Sequence, residues 1–141
     1  MNRSSLLFGP MMLWSVVAEA APNLVLISVD GLRADRVGPR AGGQSATPSV
    51  DRLAADGLVC DVALSQSNES LFSHAAMLSG RSVSELARPD YRRFTVPATA
   101  MLLPEVLALY GYTNAAFVAG GHVKGVYGFS QGFSEIGRAH V

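Results

Sequence analysis

Asn23-Leu-Val-Leu-Ile-Ser-Val-Asp-Gly-Leu-Arg-Ala-Asp35 is the stretch on which the fold turns. Leu24 to Val29 is an almost unbroken run of β-formers, and Asp30 closes it. Such a run suits a central strand of a parallel sheet, buried on both faces. A carboxylate that follows it emerges at the strand's C-terminal end. Open α/β sheets bind their ligands in the crevice at those ends.

Outward from this stretch, strand and helix signals alternate. Thr47-Pro-Ser-Val-Asp-Arg-Leu-Ala-Ala-Asp-Gly57 predicts a helix, with Thr47 as its cap, Pro48 at its first position and Gly57 as a left-handed stop. Val50, Leu53 and Ala54 form its expected buried stripe. Leu58 to Leu64 reads as the next strand, with Cys60 buried as a small hydrophobe. Ser65 to Glu69 is a polar turn, and a second helix is expected from about Phe72 to Leu78, ended by Ser79-Gly80. Residues 82–99 read as loop, 104–111 as a third helix, 112–118 as a strand and 120–133 as a loop with Phe129 and Phe133 beneath it. Gly38 to Ser45 is glycine-rich and reads as a loop; Arg33 and Asp35 suit a local salt bridge. Strands alternating with helices imply an α/β fold with a mostly parallel sheet flanked by helices.

Composition narrows the function. Eleven basic and eleven acidic residues balance to zero, with no basic run, which argues against a nucleic-acid partner. A single cysteine excludes an internal disulfide framework and a cysteine-rich metal site. Residues 1–20 read as a secretory signal peptide: Asn2-Arg3, an apolar stretch from Leu6 to Val17, then the small-x-small pattern Ala18-Glu-Ala20. The apolar stretch is too short for an ordinary membrane span. The expected location is periplasmic or secreted.

Four blocks together carry a family resemblance: residues 23–35, residues 47–57, Ser70-Leu-Phe-Ser-His-Ala-Ala-Met-Leu-Ser-Gly-Arg81, and the pair Gly111-Tyr-Thr-Asn-Ala-Ala-Phe-Val118 and Gly128-Phe-Ser-Gln-Gly-Phe133. In this order they resemble the sulfatase family, within the alkaline-phosphatase-like superfamily. The resemblance covers residues 23–133 and implies the N-terminal part, residues 21–135, of a truncated sulfatase-like catalytic domain. It implies a metal-dependent hydrolase of sulfate esters, acting on a small anionic ester or a sulfated glycan. A fragment of this size is itself expected to be inactive.

The resemblance also assigns residues. Asp30 matches the first metal acid; oxygen ligands of this kind favour Ca²⁺, with Mg²⁺ or Mn²⁺ as alternatives. The family often has two adjacent acids here, where this chain has Asp30-Gly31. Ser70 matches the nucleophile, at a helix start whose free N–H groups favour an anion. Sulfatases that oxidise this residue to formylglycine carry Pro and Arg where this chain carries Phe72 and His74. His74 falls one turn after Ser70 and stands where the family's Arg would bind the anion. His122 and Lys124 match a region that holds the ester group, in reversed order. The departures at Phe72 and His74 keep two alternatives open. One is a phosphodiesterase, phosphonate hydrolase or phosphoglycerol transferase with an unmodified Ser70. The other is a non-catalytic anion-binding homologue, in which Ser70 is only a helix cap.

Ile136-Gly-Arg-Ala-His-Val141 is the translation of a common sequencing-adapter string. Residues 136–141 are therefore expected to be a non-native tail without fold or function.

Overall fold

The computed structural model describes residues 21–38, 45–86, 93–119 and 122–138. The stretch 1–20 read as a signal peptide, most of the glycine-rich loop and residues 139–141 lie outside the described residues.

Among the described residues there are four helices: α1 (Pro48–Asp56), α2 (Ser70–Ser79), α3 (Val83–Leu86) and α4 (Leu103–Leu109). Two short strands, β1 (Ala115–Val118) and β2 (Glu135–Arg138), pair in parallel, with Ala115 opposite Glu135 and Val118 opposite Arg138. Single 3₁₀ turns lie at Ala34–Arg36 and Gly125–Tyr127. This is a small α/β arrangement with a parallel sheet of two strands, the class that the alternation of signals implies.

The core sits on α2. Leu71, Phe72 and Ala75 pack with Leu86 of α3, with Phe94, Val96, Ala100 and Leu102, and with Phe129. Phe72 and Phe94 meet ring to ring at 4.8 Å, within the range aromatic pairs favour. Apolar residues at 71, 72, 75 and 76 make one face of a helix, and that face is the buried one. Gly80 then stops α2 with φ +65°, its N–H bonded to the Ala76 carbonyl at 2.9 Å. A left-handed residue is the usual helix stop, and glycine takes it without Cβ strain.

Several expectations are corrected. Residues 24–29 form no strand ladder, and Val25 is 82% exposed. Residues 58–64 likewise form none, with Leu58 94% exposed. A parallel strand needs partners on its edges and cover on both faces; among the described residues neither stretch has them. Cys60 is accordingly exposed. Helix α1 forms where expected, but Val50, Leu53 and Ala54 are exposed because nothing among the described residues packs on that face. Thr47 does not cap it: its Oγ1 donates to Asp51 Oδ1 at 3.2 Å and accepts from Gly38 N–H at 3.0 Å. Gly57 leaves α1 in extended, not left-handed, conformation.

Within the expected loop 82–99, α3 forms because Glu85 accepts from both the N–H and the hydroxyl of Ser82, at 2.8 and 2.6 Å. That is one half of a capping box. The expected strand 112–118 shortens to β1, and the 3₁₀ turn at Gly125–Tyr127 interrupts the expected loop after it. Ile136 to Arg138, the first residues of the stretch read as a non-native tail, pair in β2. The ladder uses backbone groups only and is indifferent to where those residues come from.

Candidate functional site

The N-terminal turn of α2 and the segment ending in Asp30 meet. Ser70 is the first residue of α2, two positions earlier than the sequence pattern suggests. The reason lies at Phe72. A proline there would push Leu71 out of the helical region and delay the helix; phenylalanine imposes no such restriction. Glu69 occupies the cap position without a side-chain cap bond. The Ser70 hydroxyl is thus not used as a cap. It donates to Asp30 Oδ2 at 2.6 Å, across 40 residues of sequence.

His74 follows one turn later on the same face, as an i, i+4 pair should. Its Nδ1 lies 2.7 Å from the backbone carbonyl of Ser70, and its Nε2 lies 3.0 Å from the Ser28 hydroxyl. Neither ring nitrogen is directed at Ser70 Oγ by a hydrogen bond. Beside it, Ser73 shares a hydroxyl–hydroxyl bond of 2.8 Å with Ser65, whose own hydroxyl bonds the Ser67 carbonyl.

Charge at this place is simple. Asp30 is exposed and Ser70 and His74 are half-buried. The first bond of the helix ladder runs from Ser73 N–H to the Glu69 carbonyl at 2.9 Å, so the N–H groups of Ser70 and Leu71 precede it. No acidic residue occupies the first turn. The positive end of the helix dipole at this turn thus faces two nearby carboxylates, Asp30 and Glu69 at the cap position.

Sequence-predicted sites divide into two groups. Asp30, Ser70 and His74 come together. His122 and Lys124 do not join them by any hydrogen bond or ion pair among the described residues. His122 is exposed, with its ring 6.3 Å from that of Tyr127. Lys124 lines an open cavity of about 410 Å³ with Val118, Ser130, Phe133, Ser134 and Glu135. Ser28 is the member that sequence reasoning missed: residues 28 and 30 project to one side of an extended segment, but a lone serine in an apolar run carries no signal that its partner is His74.

A divalent cation can be tested against these residues. Hard cations take six to eight oxygen ligands. Asp30 and Ser70 offer oxygens of the right chemistry, but no group of three His, Cys, Asp or Glu side chains gathers among the described residues. They do not complete a metal site. Among the described residues no helix is long and apolar enough to cross a membrane.

Comparison with known proteins agrees with the resemblance. The model of the sulfatase family matches residues 22–138. N-acetylgalactosamine-6-sulfatase of Mus musculus is 31% identical over 109 residues, covering 69% of this chain and 21% of the mouse protein. The Rattus norvegicus protein of the same name matches to the same extent. The chain thus spans about a fifth of the length of these curated relatives. No solved structure matches it.

Proposed function

The chain belongs to the sulfatase family, and from that premise we propose that the whole protein is a secreted or periplasmic hydrolase of sulfate esters with its nucleophile at Ser70. The observation that supports this is the 2.6 Å hydrogen bond from Ser70 Oγ to Asp30 Oδ2. Two stretches far apart in sequence, each matched to the family's chemistry, meet at a hydroxyl and a carboxylate. In this reading Asp30 orients the oxygen and holds its proton, and the positive N-terminal end of α2 faces the anionic ester. A divalent cation, Ca²⁺ first and Mg²⁺ or Mn²⁺ otherwise, would take Asp30 as one of its ligands and polarise the ester oxygens. His74 belongs to the site through Ser70; His122 and Lys124 are proposed to hold the far side of the substrate. The substrate class is a small anionic ester or a sulfated glycan, in line with the sulfated amino sugar named in the relatives.

A second reading is favoured by one observation. Phe72, at the position of the proline found in matured sulfatases, is 2% exposed and fixed in the core. A segment built this way suits an unmodified serine that attacks a phosphorus ester directly.

The test uses the full-length protein. It is assayed with 4-nitrophenyl sulfate and bis(4-nitrophenyl) phosphate, and the peptide between Arg52 and Arg81 is weighed by mass spectrometry. Sulfate turnover with a peptide lighter by a pair of hydrogens supports the sulfatase reading. Phosphate turnover with unmodified Ser70 supports the second. Turnover that survives Ser70→Ala removes both.

A further inference from the structure

We propose that Ser28 is a positioning residue for Ser70, acting through His74; the inference rests on Ser70 being the nucleophile. Among the described residues the segment carrying Asp30 is not held by packing; at its far end the Tyr112 hydroxyl donates to the Pro22 carbonyl at 2.9 Å. Val25, Ile27 and Val29 are 82, 72 and 59% exposed, and no backbone ladder involves residues 21–30. Two side-chain hydrogen bonds tie this segment to α2 among the described residues: Ser70 Oγ to Asp30 Oδ2 at 2.6 Å, and Ser28 Oγ with His74 Nε2 at 3.0 Å. One hydrogen bond alone leaves the two pieces free to pivot about it. A second bond, two residues away on the segment and one turn away on the helix, removes that freedom.

The proton positions follow from the partners. The Ser70 carbonyl can only accept, so His74 Nδ1 carries the proton. In the neutral ring Nε2 is then the acceptor, and the Ser28 hydroxyl is its donor. The ring becomes a spacer of fixed tautomer between Ser28 and the backbone of the nucleophile. The bonds close a circuit: Ser28 to His74, His74 to the Ser70 carbonyl, Ser70 Oγ to Asp30, and Asp30 back along the chain to Ser28. Displacement of a reacting oxygen by about 1 Å can cost on the order of 10²-fold in rate, so this circuit acts on turnover more than on binding.

The experiment is Ser28→Ala in the full-length protein, with Ser28→Thr and Ser70→Ala beside it. Turnover is read with 4-nitrophenyl sulfate and bis(4-nitrophenyl) phosphate, and the His74 ring is read by ¹⁵N NMR. Ser28→Ala is expected to lower kcat about 10-fold with KM little changed. The Nε2 resonance should move as its hydrogen bond is lost, and Ser28→Thr should restore both. His74→Asn keeps a donor near the Ser70 carbonyl but lacks Nε2; it should reproduce the kcat loss, and it serves if Ser28→Ala does not fold. An unchanged kcat or an unmoved Nε2 resonance in a folded Ser28→Ala protein overturns the proposal, as does wild-type turnover by His74→Asn. If Ser70→Ala retains turnover, the nucleophile assignment fails instead. The ring resonance then still decides whether the bridge exists.

Discussion

In the proposed function Ser70 and Asp30 share the chemistry at one hydrogen bond, and each depends on the other for its role. A serine hydroxyl is a weak nucleophile until a neighbour takes or holds its proton. Asp30 is the carboxylate bonded to it. Asp30→Asn keeps a side-chain oxygen of the same size but removes the charge. In the full-length protein it is expected to reduce kcat by at least about 10²-fold, the lower end of what a group acting on a reacting proton contributes. Steady-state kinetics on the purified variant check this, and a kcat within a factor of two of wild type would sink it. These two residues and His74 were legible in the sequence because each stands in a motif with a local signal: an acid after a strand-like run, a serine before an apolar helix face, a histidine one turn on. Ser28 was not, because a single serine in an apolar run carries no pattern of its own. Its partner lies 46 residues away.

The elements show the same division between local and distant information. Helices α1, α2 and α4 lie close to where the sequence predicts them, since Pro48, Gly80 and Pro104 punctuate them locally. The stretches 24–29 and 58–64 carry strand composition without forming strands, because pairing depends on partners elsewhere. Helix α3, missed by pattern, depends on Glu85. Its carboxyl is held below the usual carboxylate range, first by the Ser82 hydroxyl, then by the Ser82 N–H, with the Arg81 charge adding to them. A lowered folded pKa means that this contact stabilises α3 above the carboxylate's ordinary, unfolded value. The contribution is lost as the pH falls through the lowered folded value. Ser82→Ala is therefore expected to move the Glu85 midpoint upward in a ¹³C NMR titration; an unmoved midpoint would refute this account of α3.

Asn114 joins the later elements. Its side-chain N–H groups donate to the carbonyls of Pro104 and Gly132, at 2.8 and 3.1 Å, and its own carbonyl accepts from Ser134. Gly132 has φ +77°, and a Cβ there would run into the backbone of Pro104 and Glu105. The start of α4 can give way only by moving the Asn114 contacts with it. Gly132→Ala is expected to destabilise the folded part by about 1–3 kcal/mol, as overpacking and a strained φ do. Urea denaturation followed by the tyrosine signal measures this, and an unchanged midpoint would contradict it.

At the scale of the whole molecule, apolar surface outweighs what the described residues can cover. Leu24 to Ile27 are each more than half exposed, as are Leu58, Val59, Val62 and Leu64. Folded monomers rarely leave contiguous patches of this kind open. The family relatives are about five times as long as the matched part of this chain, and sheets of this class bury such runs between neighbouring strands and helices. The 141-residue chain on its own is therefore expected to bind a hydrophobic dye such as ANS and to self-associate, while the full-length protein does neither. Unpaired strand-like segments are templates for association, and lysine blunts them. Val25→Lys with Val62→Lys should lower both dye binding and association. The α2 core, which neither residue touches, should remain intact. Sedimentation velocity and dye fluorescence on the two chain lengths separate the cases. A monomeric 141-residue chain without dye binding would mean that these two runs find cover within the chain itself. Asp30 would then be held by packing, and the two hydrogen bonds to α2 would be a consequence of its position, not the cause.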